Sequence, residues 1–369
     1  MKLIYFLILL FWGISLLPAQ SGIRECATEA NEAWANQLKI RVAGMAPLGL
    51  LKSAPVQIPY QIHLFKKSDS TSVLSLPDIY KEIDTVNAFY ANANMFFYEC
   101  APPEMIMDDS LYDFQSATEE NIILSQYYTA DVLNLYFPNT VMAGTLPACG
   151  YSRFPPSVDL AVIAAACATN GSTLAHEIGH YFGLMHTHET FYGAELVDGS
   201  NCTFAGDLIC DTPADPGLGN ANVSPGCVYT GTVVDGNMMP YTPDVTNIMS
   251  YARKECRFYF SPLQYSILNT TMQTNRTNLY CSYGVGFKEQ LPERFSVFPN
   301  PGNERLGISL DKAQASELTL YNSAGQKVAS SHASAKDYSL DTSALPAGLY
   351  FYTLTVSSVI YSGKWMKQH

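Results

Sequence analysis

From Val56 the stretch VQIPYQIHLF alternates apolar and polar residues and is rich in β-branched and aromatic side chains, a pattern that predicts a first strand. The following LPDIYKEIDTVNAFYANANMFFYEC sets Ile79, Ile83, Val86, Phe89 and Tyr90 at helical spacing and then a strand-like run from Met95 to Tyr98. VLNLYF at 132–137 and DLAVIAAAC at 159–167 read as further strands of a mixed sheet, separated by a Gly- and Pro-rich stretch from Gly144 to Pro156. Ahead of this pattern, residues 21–54 are helix-prone in ECATEANEAWANQLKI but have no core of their own, which reads as a pro-segment. A polar linker, 284–292, leads into the short alternating runs FSVF, LGISL, ELTLY, QKVAS, LYFYTLTV and IYSGKWM. Turn signals at Pro299-Asn300-Pro301, Asn322 to Gly325 and Pro346-Ala347-Gly348 punctuate them, so 293–369 is expected to be a small all-β sandwich. The expected class is α+β: one larger domain over 55–283 and this smaller one.

The opening MKLIYFLILLFWGISLLPAQ carries Lys2, an apolar run from Leu3 to Leu17 and then Pro18-Ala19-Gln20, the layout of a signal peptide over 1–20. Fifteen apolar residues fall short of the roughly 20 a spanning helix needs, so no stable membrane span is expected once this segment is removed. Export makes disulfides available to the nine cysteines, 26, 100, 149, 167, 202, 210, 227, 256 and 281, and their odd number leaves one over. With 47% hydrophobic and 15% charged residues the chain has apolar surface enough to fold. A formal net charge of -12 argues against nucleic acid or an anionic membrane as partner, through long-range repulsion.

Four of the seven histidines lie in HEIGHYFGLMHTH, 176–188, where the preceding Ser172 or Thr173 can start a helix. His176 and His180 then stand one turn apart on one face, a separation that suits two imidazoles on one zinc. Gly183 can take a positive φ, end the helix and bring His186 back to the same ion. Three neutral ligands leave zinc its double charge and an open position, which lowers the pKa of a bound water from about 15.7 towards 7. Glu177, about 100° around the helix from His176, is placed to take that water's proton as general base and hand it to a leaving amine. His188 is a spare expected in a solvated loop.

His176 to His186 match the metzincin signature HExxHxxGxxH, and NIMSY at 247–251 resembles the family's Met-turn. The resemblance implies a metzincin-like zincin domain with a mixed twisted sheet, an active-site helix and a loop-rich lower half. It implies that Met249 forms an apolar floor beneath the histidines and that Tyr251 lies close enough to bind zinc or the developing oxyanion. GDLICDTPAD at 206–215 resembles the pappalysin, or cytophagalysin, element GDxVxDTPA, which by matched position implies a structural calcium site using Asp207 and Thr212 with backbone carbonyls. The family also ties this loop to the segment after the Met-turn, implying a Cys227–Cys256 bond; the partners of Cys100, Cys149, Cys167, Cys202, Cys210 and Cys281 stay open among 15 connectivities. Pappalysin-like zymogens hold an early cysteine on the zinc in a motif resembling RCGT. Here IRECATEA has an inserted glutamate and no glycine, and Cys26 is the corresponding candidate switch, a thiolate being a strong zinc ligand. Glu255, just before Cys256, is a candidate for the pocket that takes the residue after the scissile bond; a carboxylate there would favour Arg or Lys, although Arg253 and Lys254 are adjacent. In the last domain VFPNP, AGLYFYTL and SGKWMKQ resemble the type IX secretion sorting domain of Bacteroidetes, which implies the type IX machinery as partner.

The expected function is a secreted or cell-surface zinc endopeptidase, from a Bacteroidetes-type bacterium, that cleaves extended peptides or proteins laid along an edge strand near Ala143 to Phe154. The alternatives are a non-catalytic adhesin or a zinc amidase on the same fold. Glu177 and all three histidines, which an inactive relative would be expected to have lost in part, are present.

Overall fold

In the computed structural model, which describes residues 22–45, 56–281, 295–310, 312–322, 326–356 and 359–368, the chain divides into two units, up to Tyr283 and from Gly284. The expected signal peptide 1–20, part of the expected pro-segment and the expected linker 284–292 lie outside the described residues. The first unit runs α1 (Glu32–Val42), β1 (Val56–Lys66), α2 (Leu76–Tyr90), β2 (Met95–Glu99), β3 (Glu104–Met107), β4 (Asp113–Gln115), α3 (Ser116–Gln126), β5 (Leu133–Phe137), β6 (Thr140–Ala143), β7 (Leu146–Ala148), β8 (Gly150–Ser152), β9 (Leu160–Ile163), α4 (Thr173–Tyr181) and α5 (Pro262–Asn275).

β1 is the axis of this unit. It pairs in parallel with β2 and β3 on one side and with β5 on the other, and the sheet continues through parallel β9 to antiparallel β8. Both faces of β1 are buried, so even its polar Gln61 and His63 lie inside. Ile58, Tyr60, Ile62 and Leu64 join the core shared with α2 and α4, while Phe65 joins a second core with Phe114, Ile123 and Tyr136. α2 starts where the Ser75 side chain accepts from the Asp78 amide, and it buries Ile79, Ile83, Val86 and Tyr90 along one stripe. The Tyr90 hydroxyl donates to Ala175 O at 2.9 Å, fixing α2 against α4.

The apolar run 159–167 is strand only to Ile163, because the chain then leaves the sheet in a short 3-10 turn, Ala165–Cys167. There Cys167 is bonded to Cys149. α3 and α5 are additions to the pattern read from sequence. α5 has a signal that could have located it: Ser261 caps the helix reciprocally with Gln264, and Pro262 opens it.

The second unit is all β: β10 (Ser296–Phe298), β11 (Arg305–Ser309), β12 (Ser316–Tyr321), β13 (Lys327–Ala333), β14 (Asp337–Asp341), β15 (Gly348–Val356) and β16 (Val359–Lys367). A sheet ordered β10-β11-β14 and another ordered β13-β12-β15-β16 share one core of Leu306, Ile308, Leu318, Leu320, Leu354 and Trp365. Among the described residues no helix is long and apolar enough to cross a membrane.

Candidate metal centre

α4 is short and buried along its whole length, with Ser172 at its N-cap position. It carries His176 and His180, and the chain reverses directly after it at Gly183, whose φ of +94° is open to glycine and strained for other residues. The reversal is held by the Leu184 amide donating to Gly179 O, and it returns His186 to the face it has just left. His180 Nε2 lies 3.2 Å from His176 Nε2 and 3.0 Å from His186 Nε2.

The protonation of these rings follows from their other nitrogens. His176 Nδ1 is 2.7 Å from Ile248 O and His180 Nδ1 is 2.7 Å from Leu184 O; a carbonyl only accepts, so each Nδ1 is the donor and each Nε2 a bare acceptor. Burial is the main force holding both imidazoles neutral. It lowers His176 well below its ordinary value and His180 to about 3. Acceptors converging to about 3 Å repel unless a cation lies between them, and nitrogens around one tetrahedral zinc stand about 3.3 Å apart. The donor set therefore fits zinc.

Met249 lies beneath α4. A Cβ added at Gly179 would come 2.5 Å from Met249 Sδ, so only glycine lets the turn approach this closely. The Met249 amide donates to Asn247 Oδ1, and Asn247 is itself held by Gln264 of α5. Tyr251 follows, its ring 4.8 Å from that of His186 and its hydroxyl 3.4 Å from Cys26 O. Burial, with the charges of Cys26 and Glu177, raises the Tyr251 phenol far above its ordinary range.

Glu177 is fully buried, and burial pushes its carboxyl up to about 8. Oε2 accepts from the Thr28 hydroxyl at 3.2 Å and from the Cys26 thiol at 3.5 Å, whereas Oε1 has no protein partner among the described residues. The Cys26 thiol is itself raised, chiefly by burial and then by the Glu177 charge. Its Sγ and a ring nitrogen from each of His176, His180 and His186 all lie within 4.8 Å of one another. Cys26 is delivered by an extended segment running in the same sense as β7 and β8. The Arg24 amide donates to Pro147 O, the Cys149 amide to Arg24 O and the Ala27 amide to Gly150 O. α1 then closes over the helix turn, with Trp34 Nε1 donating to Gly183 O at 2.9 Å.

The remaining candidates lie elsewhere. Cys227 is bonded to Cys256, and the other pairs are Cys100–Cys281, Cys149–Cys167 and Cys202–Cys210, leaving Cys26 free. Asp207 and Thr212 face each other, the Thr212 hydroxyl lying 3.0 Å from both Asp207 oxygens, and Asp207 is not among the groups that converge with the histidines. Glu255 points outward with its side chain 61% exposed, 3.8 Å from Arg253. His188, expected in solvent, is instead packed against the rings of His186 and Tyr251. Sequence reading missed Thr28 and also Asp215, which accepts from the Thr187 hydroxyl at 2.6 Å and braces the bend carrying His186. Asp215 lies within GDLICDTPAD, so its motif was visible although its role was not.

Residues 117–260 match the family described as pregnancy-associated plasma protein-A, and residues 296–368 match the secretion system C-terminal sorting domain. An extracellular metalloprotease of Pyricularia oryzae is 27% identical over 233 residues, 58% of this chain and 74% of that protein. One of Colletotrichum graminicola is 29% identical over 267 residues, 67% of this chain and 85% of that protein. A solved structure of mirolysin in complex with compound 9 is 20% identical, covering 63% of this chain and 98% of that one with a TM-score of 0.45.

Proposed function

The chain carries a zinc metalloendopeptidase domain of the pappalysin family and a secretion-system sorting domain, and from that premise we propose that it is exported in a latent form and cuts extended peptides with Glu177 as general base. His176, His180 and His186 hold the zinc in this reading. The bound ion supplies Lewis acidity, acidifying a water and polarising the scissile carbonyl. Glu177 takes the water's proton at Oε1 and passes it to the leaving amine. A carboxyl raised towards neutrality by burial suits both halves of that transfer. The Tyr251 hydroxyl, kept protonated by its surroundings, donates to the developing oxyanion.

Latency rests on the Cys26 thiol, which reaches the nitrogen cluster and Glu177 together and so covers both parts of the machinery. In the same reading, sorting motifs direct the chain to the type IX machinery of a Bacteroidetes-type bacterium. Asp207 and Thr212 are proposed to hold a structural calcium with Glu195, whose charge raises the buried Asp207 carboxyl further.

The observation that carries the mechanism is the convergence of three imidazole nitrogens, two of them left as bare acceptors by their Nδ1 hydrogen bonds, beside a buried carboxyl group that keeps one oxygen without a protein partner among the described residues. The test is peptide hydrolysis by full-length protein after release of the pro-segment, with and without a zinc chelator and with Glu177→Ala. Cleavage that ignores the chelator or survives the substitution overturns it.

A further inference from the structure

The segment that covers the metal centre brings an acid to a place where the peptidase unit presents two cations. Glu25 Oε2 lies 3.5 Å from Arg257 Nη2 and 3.6 Å from Lys254 Nζ. Arg257 is 3% exposed, its Nη1 donates to Ser250 O at 2.9 Å, and its Nε has no protein partner among the described residues. A desolvated guanidinium with one backbone acceptor needs an anion to complete it. The other acidic groups facing it, Glu177, Tyr251 and the protonated Cys26 thiol, belong to the reaction centre. Lys254 borders the same place from the 3-10 turn Lys254–Cys256, its Nζ 3.0 Å from Cys149 Sγ at the edge of β8. That turn also sends Glu255, the candidate carboxylate for this region, outward to Arg253, while Lys254 and Arg257 meet Glu25.

We propose that Lys254 and Arg257 form a specificity subsite beside the metal centre that selects Asp or Glu at the residue following the scissile bond. The assignment rests on the peptidase reading above and names its substrate class. Glu25 directly precedes Cys26, the residue at the metal position, and its segment lies parallel to β7. A substrate laid on the same edge in the antiparallel sense, the commoner pairing, puts into this subsite the residue after the one at the metal. Its acidic side chain meets two donors already positioned, whereas Lys or Arg meets like charges with little water to screen them.

The test uses full-length protein carrying Cys26→Ala and Glu25→Ala, which removes the segment's side-chain contacts with the histidine cluster and with the two cations, and a mixed peptide library read by mass spectrometry. Asp and Glu should be enriched roughly tenfold at the first position after the cut, and Lys254→Glu in the same background should abolish or invert the preference. A basic or apolar preference there, or one unchanged by Lys254→Glu, overturns the proposal. A second measurement needs no turnover: synthetic peptides spanning residues 22–30 with Cys26→Ser, with or without Glu25→Gln, are titrated into the same protein. The Glu25 form should bind at least about tenfold more tightly, and equal affinities overturn the subsite. Acid-dependent binding without any cleavage would instead sink the peptidase reading and leave the subsite standing.

Discussion

Cys26 Sγ lies 3.5 Å from Glu177 Oε2, so one thiol of the N-terminal segment touches the proposed general base while standing over the histidine nitrogens. Removing it opens the metal position and frees one contact of the carboxylate. Full-length Cys26→Ala should therefore hydrolyse a generic peptide substrate at least about tenfold faster than the parent chain without being cut itself. Intact mass and rate measured on one sample decide the matter. A variant as silent as the parent would place latency in the bulk of the segment rather than in its thiol.

Glu177→Gln keeps the shape of the side chain and its place against Thr28 but cannot accept a proton as a carboxylate does. The loss expected from removing a positioned acid–base group is about 10²- to 10⁴-fold in kcat. One zinc per chain by elemental analysis should be retained, since Glu177 is not among the converging donors. His180→Ala should lose both metal and activity. Activity within a factor of a few of the parent in Glu177→Gln would assign the proton transfer to another group.

Trp34 is buried against the reversal that carries His186, and a Cβ at Gly183 would collide with its ring. The indole therefore links the covering segment to the metal site through packing as well as through its bond to Gly183 O. Trp34→Ala should destabilise the full chain by about 3 to 5 kcal/mol, as for other large buried deletions, and raise basal hydrolysis because the segment detaches more often. Thermal melts and rates measured in parallel check it; a lower melting point with no gain in rate would separate α1 from latency.

The convergence of the proposed metal ligands was legible because their geometry is local: two residues one helical turn apart and a glycine that bends the chain. Strand β1 was legible from its alternation and its β-branched and aromatic residues, and β2 and β5 from their apolar runs. What the sequence hid depends on contacts between distant segments. Lys254, Glu255 and Arg257 are near neighbours in sequence, yet a 3-10 turn bonded through Cys256 to Cys227 directs Glu255 outward while Lys254 and Arg257 meet Glu25. Periodicity cannot show which member of such a charge run turns inward. His188 was expected in solvent for a similar reason, since its packing against Tyr251 exists only once the Met-turn lies beneath α4.

The proposed calcium site has a pH signature. Burial raises Glu195 to about 7 from an ordinary value near 4.5, and burial together with the Glu195 charge raises Asp207 well above its own. A carboxyl whose folded pKa is raised adds stability below its unfolded pKa, and that contribution is lost as pH rises through the folded value. In chelator, the melting temperature should therefore fall as pH climbs from about 5 to 8, and Glu195→Gln should flatten the fall. Calcium would neutralise the pair, favour the ionised forms and restore stability most at the alkaline end. Melts across this range, with calcium and with chelator, read out both effects. Coincident curves at every pH would remove calcium from Asp207 and Thr212 and leave their hydrogen bonds as the whole of that loop's bracing.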